Sequence, residues 1–389
     1  MKTYPKLLLA AATALSFTAL SLPAAQAQQG ATATQVKIIS VNELSGAGAT
    51  TGSYFQAGMA LATKEINAAG GILGRRINLV PYDTQSNPGI AKALVAKAVD
   101  EDPYVIMGPG FSGSAIISMT ESRKARIPNF TGAEASSITQ QKNPYIFRTS
   151  FAQVNSMPRL ARYLIDDVKA KSVAIIWINT EFGKGGRDAM TRELKARNIP
   201  VVADISVEQG QVDYSSVVVR AKQANADVLF PYVTEEEAAR LLRELHKQSY
   251  DKPIIGETTI AEQKVIELAG EAANGVRAHV GLTPDGDNPL IRAFVERFQK
   301  EHGFKPNHNA TKGYIGLYTV KAVTEKLGKF DRAAFTKAMK GIRLSTKDEP
   351  GLLMDLVYDD KGDLDRESFL VEVQGGKQVV IGTLPPLNK

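Results

Sequence analysis

The chain has 389 residues, with 47 Lys and Arg against 41 Asp and Glu, a formal charge of +6. That length allows roughly two or three domains, and an apolar content of 43% fills their cores. The basic residues are scattered, which argues against a nucleic-acid partner, and with no cysteine disulfides and cysteine-based metal or redox sites are excluded.

Lys2 and Lys6 precede an almost wholly apolar or small run, Leu7–Leu22, and Ala25-Gln26-Ala27 fits the small-x-small cleavage rule. A signal peptide over 1–27, cleaved before Gln28, is expected. The run is broken by Thr13, Ser16, Thr18 and Ser21 and ends at Pro23, which makes a poor membrane span. Without a cysteine at the cleavage point a lipid anchor is excluded there, so the mature chain is expected free in an extracytoplasmic space, with no membrane insertion.

Strand and helix then alternate. Val36–Val41 reads as a strand, Ser45–Gly52 as a loop and Ser53–Ala69 as a helix. Within that helix Met59, Leu61, Ala62, Ile66 and Ala69 form one apolar stripe, and Gly70-Gly71 stops it. Ile77–Tyr82 is a strand whose Pro81 marks an end or an edge. Pro88–Asp100 is a helix with proline at its start, followed by strand Tyr104–Gly108 and helix Ser114–Arg126. Short strands at Ile127–Phe130 and Tyr145–Arg148 close this half.

The cycle restarts with helix Asn155–Val168, strand Ser172–Ile178, helix Phe182–Arg197, strand Val201–Val207, helix Ser215–Ala224 and strand Asp227–Tyr232. Helix Glu235–Gln248, strand Pro253–Gly256, helix Glu262–Ala269 and strand Gly275–Leu282 follow. Such alternation predicts an α/β protein with doubly wound parallel sheets, and two series predict two similar lobes. The last third has helices at Pro289–His302, Ala310–Leu327 and Arg332–Met339 and a hairpin, Ser368–Val373 with Gln378–Gly382. Too few strands remain there for a third sheet, so these elements are expected to return to the earlier lobes.

Gly108-Pro-Gly110-Phe-Ser112-Gly113 matches G-x-G-x-x-G. A dinucleotide reading fails because the motif follows the third strand and no acidic residue ends a following strand about 20 residues on. The same geometry lets backbone amides at a helix start bind a carboxylate; the plain alternative is a tight turn. Gly110-Phe-Ser112-Gly-Ser114 nearly matches a nucleophile elbow, but Ser114 replaces its last glycine. The four histidines, 246, 279, 302 and 308, show no metal-binding spacing, and three of them lie in surface-like sequence. No enzyme activity, cofactor or metal is expected.

The Glu65-Ile-Asn-Ala-Ala-Gly-Gly71 run, the 108–114 loop and Phe182-Gly183 resemble type I periplasmic binding proteins, most of all the branched-chain amino-acid-binding branch. The resemblance covers nearly all of the mature chain. It implies two lobes joined by three crossings, near Ser150–Phe151, Val280–Thr283 and Pro350–Leu352. Lobe 1 is then 28–150 with 281–350, and lobe 2 is 151–280 with 351–389. It further implies a monomer in the periplasm that binds a small molecule between the lobes and delivers it to the permease subunits of an ABC importer.

In this family a serine at the place of Ser112, beside Phe111, holds the ligand carboxylate, and the next loop, here Gly132, Ala133 and Glu134, supplies further groups. Glu134 stands where the family usually has threonine, and an ionised side chain there would repel a ligand carboxylate unless turned away or protonated. Phe182 stands where an aromatic residue packs on the ligand. Tyr232 or Thr234 is expected to face the cleft, while the Glu235-Glu-Glu237 run is explained by helix capping. Glu257, or Thr258 if the register slips by one, occupies the position of the ammonium-binding glutamate. Thr51 stands where the family often has an aromatic residue, and Ser86 and Phe111 where some members carry a bridging cysteine pair. The implied ligand is a small apolar amino acid such as leucine, isoleucine or valine. The alternatives are an aromatic or aliphatic carboxylate, an amide or urea on the same fold, a ligand sensor for a signalling receptor, or an exported serine hydrolase.

Overall fold

The computed structural model describes Met1 and residues 29–387, so the expected signal peptide lies outside the described residues. The first lobe is built on a five-stranded sheet of β1 (Gln35–Asn42), β2 (Arg76–Asp83), β3 (Val105–Met107), β4 (Asn129–Thr131) and β5 (Ile146–Arg148). Its order is β2-β1-β3-β4-β5 and every pair is parallel. Pro81 sits in β2, an edge strand, where a missing backbone donor is tolerated. Helices α1 (Ala49–Ala68), α2 (Pro88–Asp100), α3 (Ser112–Ala125) and a short α4 (Ser137–Gln140) connect these strands.

The second lobe runs α5 (Gln153–Asp166), β6 (Val173–Ile178), α6 (Glu181–Lys195), β7 (Val201–Val207), α7 (Ser215–Gln223), β8 (Val228–Tyr232), α8 (Glu235–Lys247), β9 (Ile255–Glu257), α9 (Gln263–Ala269) and β10 (Arg277–Val280). Strands β7-β6-β8 are parallel, and a bridge from Leu229 to Ile254 joins them to β9 and thence to parallel β10. The chain then returns to the first lobe with α10 (Pro289–His302), α11 (His308–Leu327), α12 (Arg332–Ala338) and short strands β11 (Arg343–Leu344), β12 (Leu356–Tyr358) and β13 (Leu364–Asp365). It ends in the second lobe with the antiparallel hairpin β14 (Ser368–Gln374) and β15 (Lys377–Leu384), which extends the sheet beyond β10.

One apolar core in each lobe shows which chain segments belong to it. Val36, Ile38, Phe55 and Met59 pack with Phe294, Tyr314, Leu317, Leu356, Tyr358 and Leu364. Ile176, Leu229 and Leu241 pack with Val280, Val371 and Val373. Because Leu352 to Leu364 belong to the first core, the third crossing falls between Asp365 and Ser368, later than the expected Pro350–Leu352.

Helix α11 is buried along all of its first thirteen residues and packs on α1. The approach is close because glycines face each other's backbone. A Cβ on Gly58 would lie 1.8 Å from Ala310 O, and one on Gly313 would lie 2.1 Å from Phe55 O. Glycine here is a packing requirement, and it fixes which residues α11 presents to the space between the lobes.

Candidate functional site

In parallel sheets the neighbouring loops diverge where the strand order reverses, and a crevice opens at the carboxyl ends of the strands there. In the first lobe that point lies between β1 and β3, and in the second between β6 and β8. The loops after these four strands face one another across a cavity of about 270 Å³. Thr51 and the 110–114 segment line it from the first lobe, and Thr180–Phe182 and Thr234–Glu235 from the second.

Gly108 takes φ 107°, and a Cβ there would lie 2.2 Å from Val41 O, so the turn after β3 needs glycine. The turn delivers the first amides of α3, which have no partner inside their own helix, to the cavity wall at Ser112, Gly113 and Ser114. The Ser112 hydroxyl oxygen accepts a bond from Ala135 N at 3.2 Å, leaving its O–H to donate. Behind this loop, burial raises the Glu43 carboxyl to about 7, and its Oε2 accepts from Gly110 N at 3.0 Å. Phe111 fills the space beside Gly48, and the Ser86 hydroxyl is engaged by Gly48 N and Ser45 O.

Gly132, Ala133 and Glu134 all line the cavity. The charge of Glu134 is met by Lys312 of α11, whose Nζ donates to Glu134 Oε1 at 2.8 Å and to Gly132 O at 3.3 Å. The repulsion anticipated at Glu134 is thereby countered by a cation that is itself only 6% exposed. From the other side Phe182 presents a ring that stacks on Tyr232, with centroids 4.3 Å apart.

Three expected contacts do not reach the cavity. Tyr232 is fully buried beneath Phe182, and its hydroxyl accepts from Gln153 Nε2 at 3.0 Å. Glu257 is turned to His279, with Nδ1 and Oε1 2.9 Å apart. Burial alone would raise its carboxyl, but hydrogen bonds from His279 and Thr258 offset that and hold it below the usual range. The Thr258 hydroxyl donates to His279 O. Thr259, one residue further, lines the cavity instead.

The residues missed in the sequence come chiefly from α11: His308, Asn309 and Lys312 all line the cavity. His308 is buried, against its surface-like sequence setting, and so is His279 on β10. His308 Nδ1 bonds Glu262, and burial keeps that pair neutral, pushing the carboxyl up to about 8 and the imidazole down to about 3. Asn309 Nδ2 donates to Glu235 Oε1 at 3.0 Å, and Thr51 Oγ1 donates to the same carboxyl at 3.2 Å. Thr50 Oγ1 reaches Glu236 at 2.8 Å. These bonds join the two lobes, so the cleft is closed. Their local signal is Asn309 and Lys312 set among the mostly small and apolar residues of the first half of the helix, Ala310–Leu317.

A family model described as periplasmic binding protein matches residues 35–378. The chain is 27% identical over 328 residues to a Leu/Ile/Val-binding protein homolog of Brucella abortus, covering 82% of this chain and 85% of the relative. It is 26% identical over 363 residues to the Leu/Ile/Val-binding protein of Escherichia coli, covering 92% and 93%. The fold matches a branched-chain amino acid transporter substrate-binding protein from Streptococcus pneumoniae in complex with isoleucine, with TM-score 0.80, 21% identity and coverage of 90% and 99%. It also matches a solute-binding protein from Rhodopseudomonas palustris in complex with benzoate, with TM-score 0.82, 22% identity and coverage of 91% and 98%.

Proposed function

The chain belongs to the periplasmic binding protein family, and from that premise we propose that it is the solute-binding component of an ABC importer, taking a small carboxylate-bearing solute, first of all an apolar amino acid, into the cleft between its lobes. It is a binding protein and not an enzyme. The observation that supports the ligand class is the pairing, on one cavity, of donor groups at the start of α3 with buried Lys312, opposite the Phe182 ring. Donors and a cation suit a carboxylate, and the ring suits an apolar body. The Escherichia coli relative is a Leu/Ile/Val-binding protein by name, and the Brucella abortus relative is named a homolog of one.

A second reading, an aromatic or aliphatic acid without an amine, is favoured by one observation: neither Glu257 nor Thr258 reaches the cavity. On either reading the mature chain, freed of residues 1–27, works as a monomer in the periplasm and docks in its closed form on permease subunits. Its lobes divide at 150/151, near 281 and near 366. A thermal-shift screen of leucine, isoleucine, valine, benzoate, 4-hydroxybenzoate and their amides tests the ligand class. A true ligand at 100 times its dissociation constant stabilises by about 2.7 kcal/mol. Failure of every carboxylate to shift the transition, with a shift from the amides, would discard the carboxylate reading.

A further inference from the structure

We propose that Glu235 is the ammonium partner of the ligand, so that the site takes a small zwitterion with its carboxylate toward Lys312 and the start of α3 and its amine toward Glu235. The inference rests on the carboxylate reading above and adds the second pole. Glu235 lines the cavity and is 3% exposed. Its two hydrogen-bonding partners, Thr51 and Asn309, are neutral and both come from the opposite lobe. A buried carboxylate with only neutral partners is costly to ionise. In keeping with that, burial, then Glu236 and Glu262, raise it to about 7, with Lys312 opposing.

The two poles are set apart by α11. Asn309 and Lys312 stand three residues apart and therefore on one helix face. Asn309 touches Glu235 of the second lobe, while Lys312 touches Glu134 of the first. A ligand carboxylate competes with Glu134 for Lys312. A ligand amine beside Glu235 supplies the cation that this carboxyl lacks. The charged groups acting on Glu235 are Glu236 on its own helix, Glu262 ahead of α9 and Lys312 on α11, and His308 lines the same cavity. Of these only Lys312 is a cation, since burial holds the His308 imidazole neutral, and Lys312 is already paired with Glu134.

The test compares leucine with 4-methylpentanoate, which lacks the amine, by calorimetry on wild type, Glu235→Gln and Glu235→Asp. Glu235→Gln is expected to weaken leucine at least tenfold and 4-methylpentanoate less than twofold, and Glu235→Asp to restore part of the loss. At pH 7, in buffers of different ionisation enthalpy, leucine is expected to release a fraction of a proton from wild type and none from Glu235→Gln. An equal loss for both ligands would make Glu235 an interlobe contact only, and no loss would remove it from the site; either overturns the inference. Wild type that binds 4-methylpentanoate but not leucine overturns it while leaving the carboxylate reading intact. Binding of neither, alongside wild-type failure on the wider acid screen, sinks both together.

Discussion

The pairing of Lys312 with Glu134 decides how the site treats charge. Both side chains are largely buried, at 7% and 13% exposure, so removing one leaves the other in a poor solvent. Lys312→Met is expected to weaken a carboxylate ligand at least tenfold and to cost about 1–3 kcal/mol of stability, the cost of an unsatisfied buried group. Glu134→Gln is expected to do the opposite to binding, because Lys312 then answers only to the ligand, and affinity for the anion rises several-fold. Calorimetric titration of both variants checks this, and a Glu134→Gln protein that binds the anion more weakly than wild type would show that Glu134 itself contacts the ligand. Neither partner could be paired from sequence. Glu134 was visible as an anomaly, but its cation lies 178 residues away, and no local pattern reports such a contact.

Elements were legible where their signals are local. Helix Pro88–Asp100 starts where Asn87 caps it, the side chain accepting from Gly89 N and Ile90 N, and proline follows at the first helical position. Strand Val201–Val207 was equally plain. Strands β11 to β13 escaped because they run only two or three residues and lie outside the strand–helix alternation that exposed the equally short β3 to β5. The same shortness of β9 hid which of Glu257, Thr258 and Thr259 faces the cavity. Helix α11 was legible as a helix, but its importance comes from its seat on α1. Gly313→Ala would drive a Cβ toward Phe55 O, where only 2.1 Å is free. It is expected to cost about 1–3 kcal/mol, as overpacking does. Since the shift also moves Asn309 and Lys312, ligand affinity is expected to fall with the melting temperature. Loss of stability with unchanged affinity would show that the α1–α11 contact does not position the site.

At the scale of the whole molecule, buried acids make stability and closure respond to pH. Burial raises Glu43 and Glu235 to about 7 and Glu262 to about 8, against 4.5 for the free side chain. Each holds its proton more tightly when folded, so its contribution is fully present below about pH 4.5 and is lost as pH rises through 7 to 8. His308, lowered to about 3, acts the other way and costs stability as pH falls below 6.5. Three acids outweigh one imidazole, so the ligand-free melting temperature is expected to fall from pH 5 to pH 8. Glu43→Gln, which keeps an acceptor for Gly110 N, is expected to flatten that fall; an unchanged slope would mean that Glu43 titrates normally.

Closure follows the same chemistry. The cross-cleft bonds from Thr50, Thr51, Asn309 and His308 all end on Glu235, Glu236 or Glu262. Hydrogen bonds of this kind give a modest net stabilisation, on the order of 1 kcal/mol each, and as pH rises through 7 to 8 Glu235 and Glu262 ionise and repel one another in the closed state. A ligand shifts the lobes only by binding the closed form better than the open one, and it does so here by contacting both jaws. Solution scattering is therefore expected to show a larger radius of gyration without ligand at pH 8 than at pH 6, and the same smaller radius at both once ligand saturates the cleft. A ligand-free radius that does not change with pH would remove the acids from control of the hinge and leave closure to the ligand alone.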